Sequence, residues 1–427
     1  MARAWRPGAV RRALVLAHRG FGLIGAIWLL SIGLTGSVLV FHEEIDALLN
    51  PAFHRAESPS ARPAPLDRLV GSAAGRHPGS YVRYLDLPDH PAEPVRAFLS
   101  ERLDAPGALP DRVEVALDPT TGRVQAERVR GRPELGRAGL VPFLYTFHYS
   151  LHLGPTASWA LGLLALVWIL DHALALALSF PGRRAWWRSF GVRRRARGHR
   201  LVFDLHRATG LWLLPVTLVL ASTGLYFNWF DSVRTWIDAV APLSERYDQR
   251  APALRSPQHT PAIGFGRAVE QVRAYAGTDR IDGISYDPRK GLYWASVFDP
   301  RDPGHRGDRW VFVDAASGRV VSDGHRASGS VGDRIVAWQL PLHSGRAFGW
   351  SGRIGVLLAG VGLCGLVVTG VLIWARKHRA RRHGVSRVGD RPPVSGSPGR
   401  IAAMARVRGG AGVGADPPGP VPSRPAR

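Results

Sequence analysis

The chain has 427 residues, of which 45% are hydrophobic and 21% charged, and its 56 Lys and Arg residues against 33 Asp and Glu residues give a net charge of +23. Its one cysteine, Cys364, excludes a disulfide framework, a cysteine zinc site, an iron–sulfur cluster and the C-x-x-C-H motif of covalent haem attachment. Such a charge is common in nucleic-acid-binding proteins, so the distribution of the basic residues along the chain decides its meaning.

Four apolar runs are long enough to cross a hydrocarbon core of ~30 Å, which takes about 20 helical residues. All four are predicted as transmembrane helices. The first is interpreted as a retained helix, because its apolar run is longer than that of a signal peptide and no small-residue cleavage site precedes His42. The runs cover residues 20–41, roughly 158–180, 210–230 and 354–374.

The basic residues are concentrated in three segments, 1–19, 181–207 and 376–427, which account for the whole net charge. The two long segments between the apolar runs, 42–142 and 231–342, are nearly neutral. Because Arg and Lys are enriched in cytoplasmic segments, both termini and the middle loop are predicted to be cytoplasmic and both long segments external. The net positive charge is therefore explained by the topology of a membrane protein, which argues against nucleic acid as a partner.

In each external segment a helical stretch is followed by short β-rich runs with Pro, Gly and Asp turns, which predicts two α+β domains. From about residue 384 the chain is rich in Gly, Pro and Arg, a composition typical of disorder. The predicted layout of this α-helical membrane protein is a cytoplasmic N-terminus (1–19), transmembrane helix 1 (20–41), external domain 1 (42–142), helix 2 with its external lead-in (143–180), a cytoplasmic Arg-rich loop (181–207), helix 3 (208–230), external domain 2 (231–342), helix 4 (343–375) and a cytoplasmic basic tail (376–427).

Two halves of the sequence repeat each other, which predicts an internal duplication in which each half supplies a helix, an external domain and a second helix. Because both halves run in the same direction, an axis along the membrane normal should relate them. The halves share three motifs at matching offsets: His18-Arg19-x-x-Gly22 with Thr35-Gly36, and His206-Arg207-x-x-Gly210 with Thr223-Gly224; Leu151-His152-x-Gly154 and Leu342-His343-x-Gly345; Asp118-x-x-Thr121-Gly122 and Asp314-x-x-Ser317-Gly318.

The duplication pairs four histidines at the ends of the predicted helices. His18 and His206 lie at the cytoplasmic entrances of helices 1 and 3, and His152 and His343 lie at the external entrances of helices 2 and 4. Two neutral imidazoles from facing helices can fill both axial positions of a haem iron, so each pair is a candidate ligand set. Any single histidine could instead be an interfacial side chain that contacts water and binds no metal. The symmetric pairing of four histidines argues against that alternative.

Other side chains around these pairs are also candidates. His148 precedes His152 by four residues and can share its helical face, so it is either the true ligand or a partner of the ligand. His172, near the inner end of helix 2, could replace one inner ligand or serve proton or quinol chemistry. Arg19 and Arg207 directly follow their histidines at the inner interface, where haem propionates would need cations.

Together these motifs resemble the PepSY-associated transmembrane proteins, over roughly residues 14–380. This family of bacterial inner-membrane proteins includes iron-regulated members that act as ferric-siderophore reductases. The resemblance implies four helices, two external PepSY domains and two b-type haems, with His18, His206, His152 and His343 as the axial ligands of iron. The sequence departs from the family in helix 2, where Asp171-His172 stand in place of the usual Thr-Gly near the inner end, and the inner ligand set is left open.

The resemblance favours an inner-membrane oxidoreductase in which electrons enter at an inner haem, cross to an outer haem and reduce Fe(III) held by an external chelator such as a siderophore. Reduction weakens binding by hard oxygen ligands and so releases the iron. The sequence encodes no nucleotide-binding motif, so the expected donor is a quinol or a cytoplasmic protein. Two alternatives stay open: a peptide-binding or protease-regulating PepSY module without redox activity, and a cytochrome that serves another periplasmic acceptor.

Overall fold

The computed structural model describes residues 7–389 except 60–61, 105, 108–111, 131, 181–185 and 306. Its α-helices are α1 (Pro7–Ile24), α2 (Ala26–Leu39), α3 (His42–Leu49), α4 (Leu66–Arg76), α5 (Leu140–Ser150), α6 (Gly154–Ser179), α7 (Gly198–Asn228), α8 (Phe230–Val240), α9 (Tyr247–Arg250), α10 (Phe265–Ala276), α11 (Val331–Ser344) and α12 (Gly349–Gly389). Its strands are β1 (Ser80–Asp86), β2 (Val95–Glu101), β3 (Arg112–Leu117), β4 (Val124–Arg130), β5 (Ile281–Asp287), β6 (Leu292–Val297), β7 (Arg309–Asp314) and β8 (Val320–His325).

Three helical spans are long and apolar enough to cross a membrane: α6, α7 and Arg346–Arg382, which contains the apolar part of α12. Helices α1 and α2 pass the same test together, although they are bent by 59° at their junction. The break falls at Gly25, and glycine is a poor helix former found at many kinks. The described chain is therefore a helical membrane protein with three spans, or four if the bent pair crosses as one.

Small residues bring α2 and α12 close together. A side-chain carbon placed on Gly33 of α2 would lie only 3.0 Å from the Cys364 sulfur and from the Gly360 carbonyl oxygen of α12. A side chain on Gly360 would in turn overlap the Ser37 hydroxyl of α2. Close approach through small residues is how helices associate in a bilayer, where apolar surface alone gives no preference for a neighbour.

The eight described strands form one antiparallel sheet in the order β4-β3-β2-β1-β5-β6-β7-β8. The two halves meet where β1 pairs with β5, which sets Tyr84 opposite Ser285 and Asp86 opposite Gly283. The sequence predicted two external α+β domains, and the structure joins their strands edge to edge in one sheet. This pairing satisfies the backbone groups of two strands that would otherwise be exposed sheet edges.

Helices α4 and α10 lie against the sheet and share one apolar core with it. Leu69 of α4 and Val269 of α10 are almost completely buried among the inward-facing residues of strands from both halves. The expectation of helix followed by strands in each external segment agrees with this order of elements. A single core therefore spans both halves of the sheet.

The repeated Asp-x-x-Thr/Ser-Gly motif forms a hairpin turn at both of its occurrences. Asp118 accepts hydrogen bonds from the Thr121 backbone N–H at 2.7 Å and from its hydroxyl at 2.8 Å, and Gly122 follows with φ +73° between β3 and β4. Asp314 holds Ser317 in the same way between β7 and β8. The repeated residues of this motif therefore shape turns.

A buried ion network joins α3 to the sheet. Arg128 of β4 donates hydrogen bonds to Asp46 of α3 and to Glu114 of β3, each at 2.8 Å, and its guanidinium lies 4.3 Å from the centre of the Phe53 ring. Burial by itself would raise the pKa of Asp46, but hydrogen bonds from His54 and Arg128 outweigh it and hold that pKa well below its usual range. The segment that follows α2 is thereby fixed to the sheet.

Several predicted boundaries differ from the observed elements. The predicted helix 2 segment, 143–180, consists of most of α5, a short turn and α6. Helix α7 begins at Gly198, inside the predicted cytoplasmic loop, and α12 continues to Gly389, past the predicted end of helix 4 at residue 375. In the part of the tail predicted to be disordered, residues 390–427 lie outside the described residues.

Candidate functional site

The side of the membrane helices that carries the sheet is called the sheet side, and the opposite side the far side. On the sheet side, His148 of α5 and His343 of α11 face each other, with ring centres 6.2 Å apart and ring planes inclined by 62°. Both helices end within a few residues of their histidine, which places the two imidazoles at the entrances of the spans that follow.

A threonine from a neighbouring helix anchors each ring of this sheet-side pair. Thr35 Oγ1 of α2 lies 2.9 Å from His148 Nδ1, and Thr223 Oγ1 of α7 lies 2.8 Å from His343 Nδ1. Each hydroxyl also donates its single hydrogen to a backbone carbonyl one turn earlier in its own helix, at 2.7 and 2.8 Å. The imidazole Nδ1–H must therefore be the donor to threonine, and Nε2 is left with the lone pair that can bind a metal.

The glycine after each threonine leaves room beside the imidazole. A side-chain carbon on Gly36 would lie 3.1 Å from His148 Cε1, and one on Gly224 would lie 3.9 Å from His343 Cε1. The first distance is tighter than ordinary van der Waals contact, so this glycine is needed for the close approach of ring and helix. Thr35-Gly36 thus supplies both the hydrogen-bond acceptor and the space for the ring, whereas the 3.9 Å at Gly224 is ordinary contact.

The far-side pair has the same ring geometry. His18 of α1 and His206 of α7 have ring centres 6.3 Å apart and planes inclined by 61°. Thr369 Oγ1 of α12 lies 2.9 Å from His206 Nδ1 and donates to the Gly365 carbonyl at 2.7 Å. A side-chain carbon on Gly370 would lie 3.3 Å from His206 Cε1, so a Thr-Gly pair also serves this ring.

His18 has a different anchor. Both carboxylate oxygens of Asp171 of α6 lie within hydrogen-bond distance of His18 Nδ1, at 2.9 and 3.0 Å. A carboxylate only accepts, so Nδ1–H of His18 donates to it and Nε2 again carries the lone pair. The next residue is His172, where the other three anchors have glycine, and its two ring nitrogens bond to the Trp168 carbonyl oxygen and Thr217 Oγ1 at 2.7 and 2.9 Å.

The far-side pairing predicted from the sequence, His18 with His206, is the one in the structure. The sheet-side pairing predicted from the repeat, His152 with His343, is not: His152 Nε2 donates to the Phe143 carbonyl at 2.9 Å, and its ring stacks on Phe143 at 4.6 Å. His148 takes the expected place opposite His343. His172, the alternative far-side ligand, has both ring nitrogens engaged in hydrogen bonds between its own helix and α7.

The two predicted arginines differ in their surroundings. Arg207 donates to the backbone carbonyls of Ser189 and Gly191 at 3.1 and 3.4 Å and lies 3.4 Å from Asp204, so it holds the far-side loop in place. Arg19 is exposed and has no hydrogen bond or ion pair to any residue that the structure describes. Of the two, Arg19 is the cation available to an anionic group beside His18.

Sequence reasoning missed the anchoring role of the threonines. Thr35 and Thr223 each follow a far-side histidine by 17 residues, so α7 carries His206 and Thr223 about 25 Å apart along its axis. The repeated spacing was visible in the sequence, but its meaning depends on which histidine of another helix the hydroxyl meets. Thr369 has no repeated spacing from a histidine, and the signal that could have found it is the Thr-Gly dipeptide that it shares with Thr35 and Thr223.

Two cavities lie between the sheet and the sheet-side pair. The larger, about 850 Å³, is lined by charged residues of the sheet and of the ends of α3 and α12, including Arg96, Arg280 and Arg353. The smaller, about 220 Å³, is lined by Phe227, whose ring centre lies 5.4 Å from that of His343. Arg346 lines both, so the two cavities adjoin near the sheet-side pair.

Comparison with known proteins is consistent with this architecture. The model of one family, described as the PepSY-associated TM region, matches residues 15–377. No curated protein sequence matches the chain. The match includes all four paired histidines and their anchors, and it confirms the resemblance seen in the sequence motifs. The chain belongs to the family of proteins with a PepSY-associated transmembrane region.

Proposed function

We propose that this protein is a b-type di-haem electron-transfer protein of the bacterial inner membrane, and that it reduces a periplasmic ferric chelate such as a ferric siderophore. The observation that carries the proposal is the pair of facing imidazoles at each side of the membrane helices, with ring centres 6.2 and 6.3 Å apart. Each imidazole is fixed at Nδ1 by a residue of another helix.

The residues fit a haem iron held by two histidines. Metal–imidazole bonds of about 2 Å on both sides of an iron would place two ring centres roughly 6 Å apart, close to both observed separations. Hydrogen bonding at Nδ1 fixes the tautomer in which Nε2 binds the metal. The chain has no attachment motif for covalent haem, so the cofactor would be haem b.

His18 with His206 would hold one haem and His148 with His343 the other. When bound, haem b would supply a one-electron carrier at each side of the membrane. The anchors from α2, α6, α7 and α12 keep the four rings from turning, so little rearrangement is needed when the charge of a site changes. Arg19 would provide a cation for a propionate on the far side.

The orientation follows from charge. The described parts of the two Arg-rich segments, residues 7–19 and 186–207, flank the far side, which the positive-inside rule assigns to the cytoplasm. The sheet side is then periplasmic, and its charged cavity of about 850 Å³ is large enough for a small polar chelate. Phe227 lines the adjoining smaller cavity, and its ring centre lies 5.4 Å from that of His343.

The net reaction transfers one electron to each ferric chelate, which converts Fe(III) to Fe(II) and weakens its binding by hard oxygen ligands. A quinol donor would release two electrons and two protons and so reduce two chelates. A cytoplasmic protein that donates single electrons would serve equally. The ferric chelate is the substrate of this reaction, and its iron leaves as Fe(II).

The first test is the haem content of the detergent-purified protein. Pyridine haemochrome analysis should give about two haems b per chain with low-spin spectra, and His206→Ala and His343→Ala should each retain one. In vesicles supplied with a quinol, His343→Ala should no longer reduce an external ferric chelate. A folded, colourless preparation from haem-replete cells would contradict the proposal.

A further inference from the structure

The four anchored histidines do not have equivalent partners. His148, His206 and His343 donate to neutral threonine hydroxyls, whereas His18 donates to a carboxylate. Since all four rings are held at the same atom with similar distances, the difference lies in charge and not in geometry. The carboxylate is on the far side only.

The environment of Asp171 leaves its charge acting mainly on His18. Only 6% of Asp171 is exposed, and among the described residues its hydrogen-bond and ion-pair partner is His18 alone. Asp204 is also buried on the far side, but Arg193 donates to it at 2.8 and 2.9 Å. The charge of Asp204 is therefore balanced by an arginine, and that of Asp171 is not.

A carboxylate that accepts from a metal-bound imidazole makes the ring a stronger donor and favours the more positive, oxidised state of the metal. Hydrogen bonding and charge around the axial ligands are among the means by which a protein sets the potential of a haem. We infer that Asp171 lowers the reduction potential of the far-side haem below that of the sheet-side haem. This inference rests on the proposed function.

The carboxylate is not needed to hold the ring. Threonine does so for the other three histidines, and Asp171 and Thr369 perform the same task within one pair. Both rings of the sheet-side pair are anchored by hydroxyls, so no carboxylate lowers the reduction potential of the haem held there. The ordering of potentials favours movement of an electron from the far side toward the side that carries the charged cavity. Asp171 thus acts on the haem through His18, and its charge favours electron movement toward the sheet side.

The neighbouring His172 does not share this role. Its ring nitrogens join α6 to α7 through Thr217, and it stacks obliquely on Trp168 at 5.3 Å. In the place where the other anchors have glycine, it packs the helices together. Substituting Asp171 alone therefore separates the effect of charge from the effect of helix packing.

The test is a redox titration of the purified full-length protein, followed by its haem absorption bands. Asp171→Asn keeps an amide oxygen that accepts from His18, and Asp171→Thr reproduces the anchor of the other three rings. In both, the lower of the two midpoint potentials should rise by at least the equivalent of a tenfold change in the reduction equilibrium, about 59 mV for one electron. The matched control, Asp204→Asn, should shift neither potential by as much.

The reciprocal variant Thr223→Asp places a carboxylate beside His343, and it should lower the higher of the two potentials by a similar amount. If the Asp171 variants keep two haems and both potentials are unchanged, the inference is wrong while the proposed function stands. If those variants lose the far-side haem, Thr223→Asp decides, and an unchanged potential there overturns the inference. A wild-type protein without haem would instead reject the proposed function itself.

Discussion

Replacing Arg128 by Met should destabilise the protein more than any exposed ion-pair substitution. The Arg128 side chain is 6% exposed, and the carboxylates of Asp46 and Glu114 that it joins are 5% and 0% exposed. Breaking a buried pair by removing one partner costs about 3–5 kcal/mol, because it leaves buried charge without compensation. Methionine keeps most of the apolar stem, so the loss is chiefly of charge and hydrogen bonds.

The remaining partners place the expected cost near the lower end of that range. Asp46 keeps hydrogen bonds from His54 and Asn50, each at 2.9 Å. Glu114 keeps more distant ion pairs with Arg96 and Arg130 at 3.8 and 3.7 Å. A cost of about 3 kcal/mol corresponds to a fall in melting temperature of roughly 6–12 °C, since a domain of about 150–250 residues loses about 2–4 °C per kcal/mol.

The assay is thermal unfolding in detergent at neutral pH, with Arg76→Met as the matched control. Arg76 is 57% exposed and pairs with Glu127 at 3.1 Å, so its loss should cost less than about 1 kcal/mol. If Arg128→Met and Arg76→Met unfold at the same temperature, the ion network does not fix the sheet as described.

Acid should reduce the difference between Arg128→Met and the wild type. The pKa of Asp46 is lowered in the folded protein, so the stability from its charge is fully present above the unfolded pKa of about 4 and is lost as the pH falls through the folded pKa. In the variant, this carboxylate has lost a major stabilising partner and protonates at higher pH. The gap in melting temperature should therefore narrow below about pH 4, and a gap that widens would contradict the assignment.

Three further outcomes are expected. Gly360→Leu should destabilise by about 1–3 kcal/mol because its side chain meets α2, whereas Gly355→Leu, where the added carbon meets nothing within 4 Å, should not. Thr223→Val removes the acceptor for His343 Nδ1–H and should weaken haem retention about 10–100-fold, measured by haem transfer to apomyoglobin, with Ser222→Ala as the control. Reporter fusions near residues 90 and 280 should be active in the periplasm and those near 190 in the cytoplasm, and the opposite pattern would refute the proposed orientation.

The membrane helices and the far-side pair could be predicted from sequence because both depend on local signals. Long apolar runs mark spans wherever they occur, and His18 and His206 carry the same motif just before the first and third of these runs. Equivalent positions in two spans lie at the same depth in the membrane, and in the structure the two rings lie side by side with centres 6.3 Å apart. The bend at Gly25 was not predicted, since a glycine within an apolar run indicates a kink only in its packed context.

The sheet-side pair was misassigned by one helical turn. The sequence motif pairs Leu151-His152 with Leu342-His343. In the structure, however, the equivalent positions are His148 and His343, because the next helix begins six residues after each of them, at Gly154 and Gly349. A shift of four residues is about one helical turn, so periodicity in the sequence cannot distinguish the two. In the structure α5 ends at Ser150, and His152 lies beyond that end with a φ of +57°. The contact with Thr35 does, and it is made between residues 113 positions apart.

The union of the two external segments in one sheet was likewise beyond local reasoning. Strands β1 and β2 could be recognised from their alternating apolar residues, but the partner of β1 on its other edge is β5, in the second half of the chain. Which edges pair is set by the fit of whole layers, including α4 and α10 packed on one face. No short motif encodes that choice.

The most direct test of the central claim compares His148→Ala with His152→Ala in the purified protein. His148 faces His343 at 6.2 Å, whereas His152 stacks on Phe143 and donates to its carbonyl. The haem content should therefore fall from about two haems per chain to one in His148→Ala, with a matching loss of low-spin absorption. In His152→Ala it should stay at about two. Loss of a haem in His152→Ala with both retained in His148→Ala would contradict the assignment of the sheet-side pair.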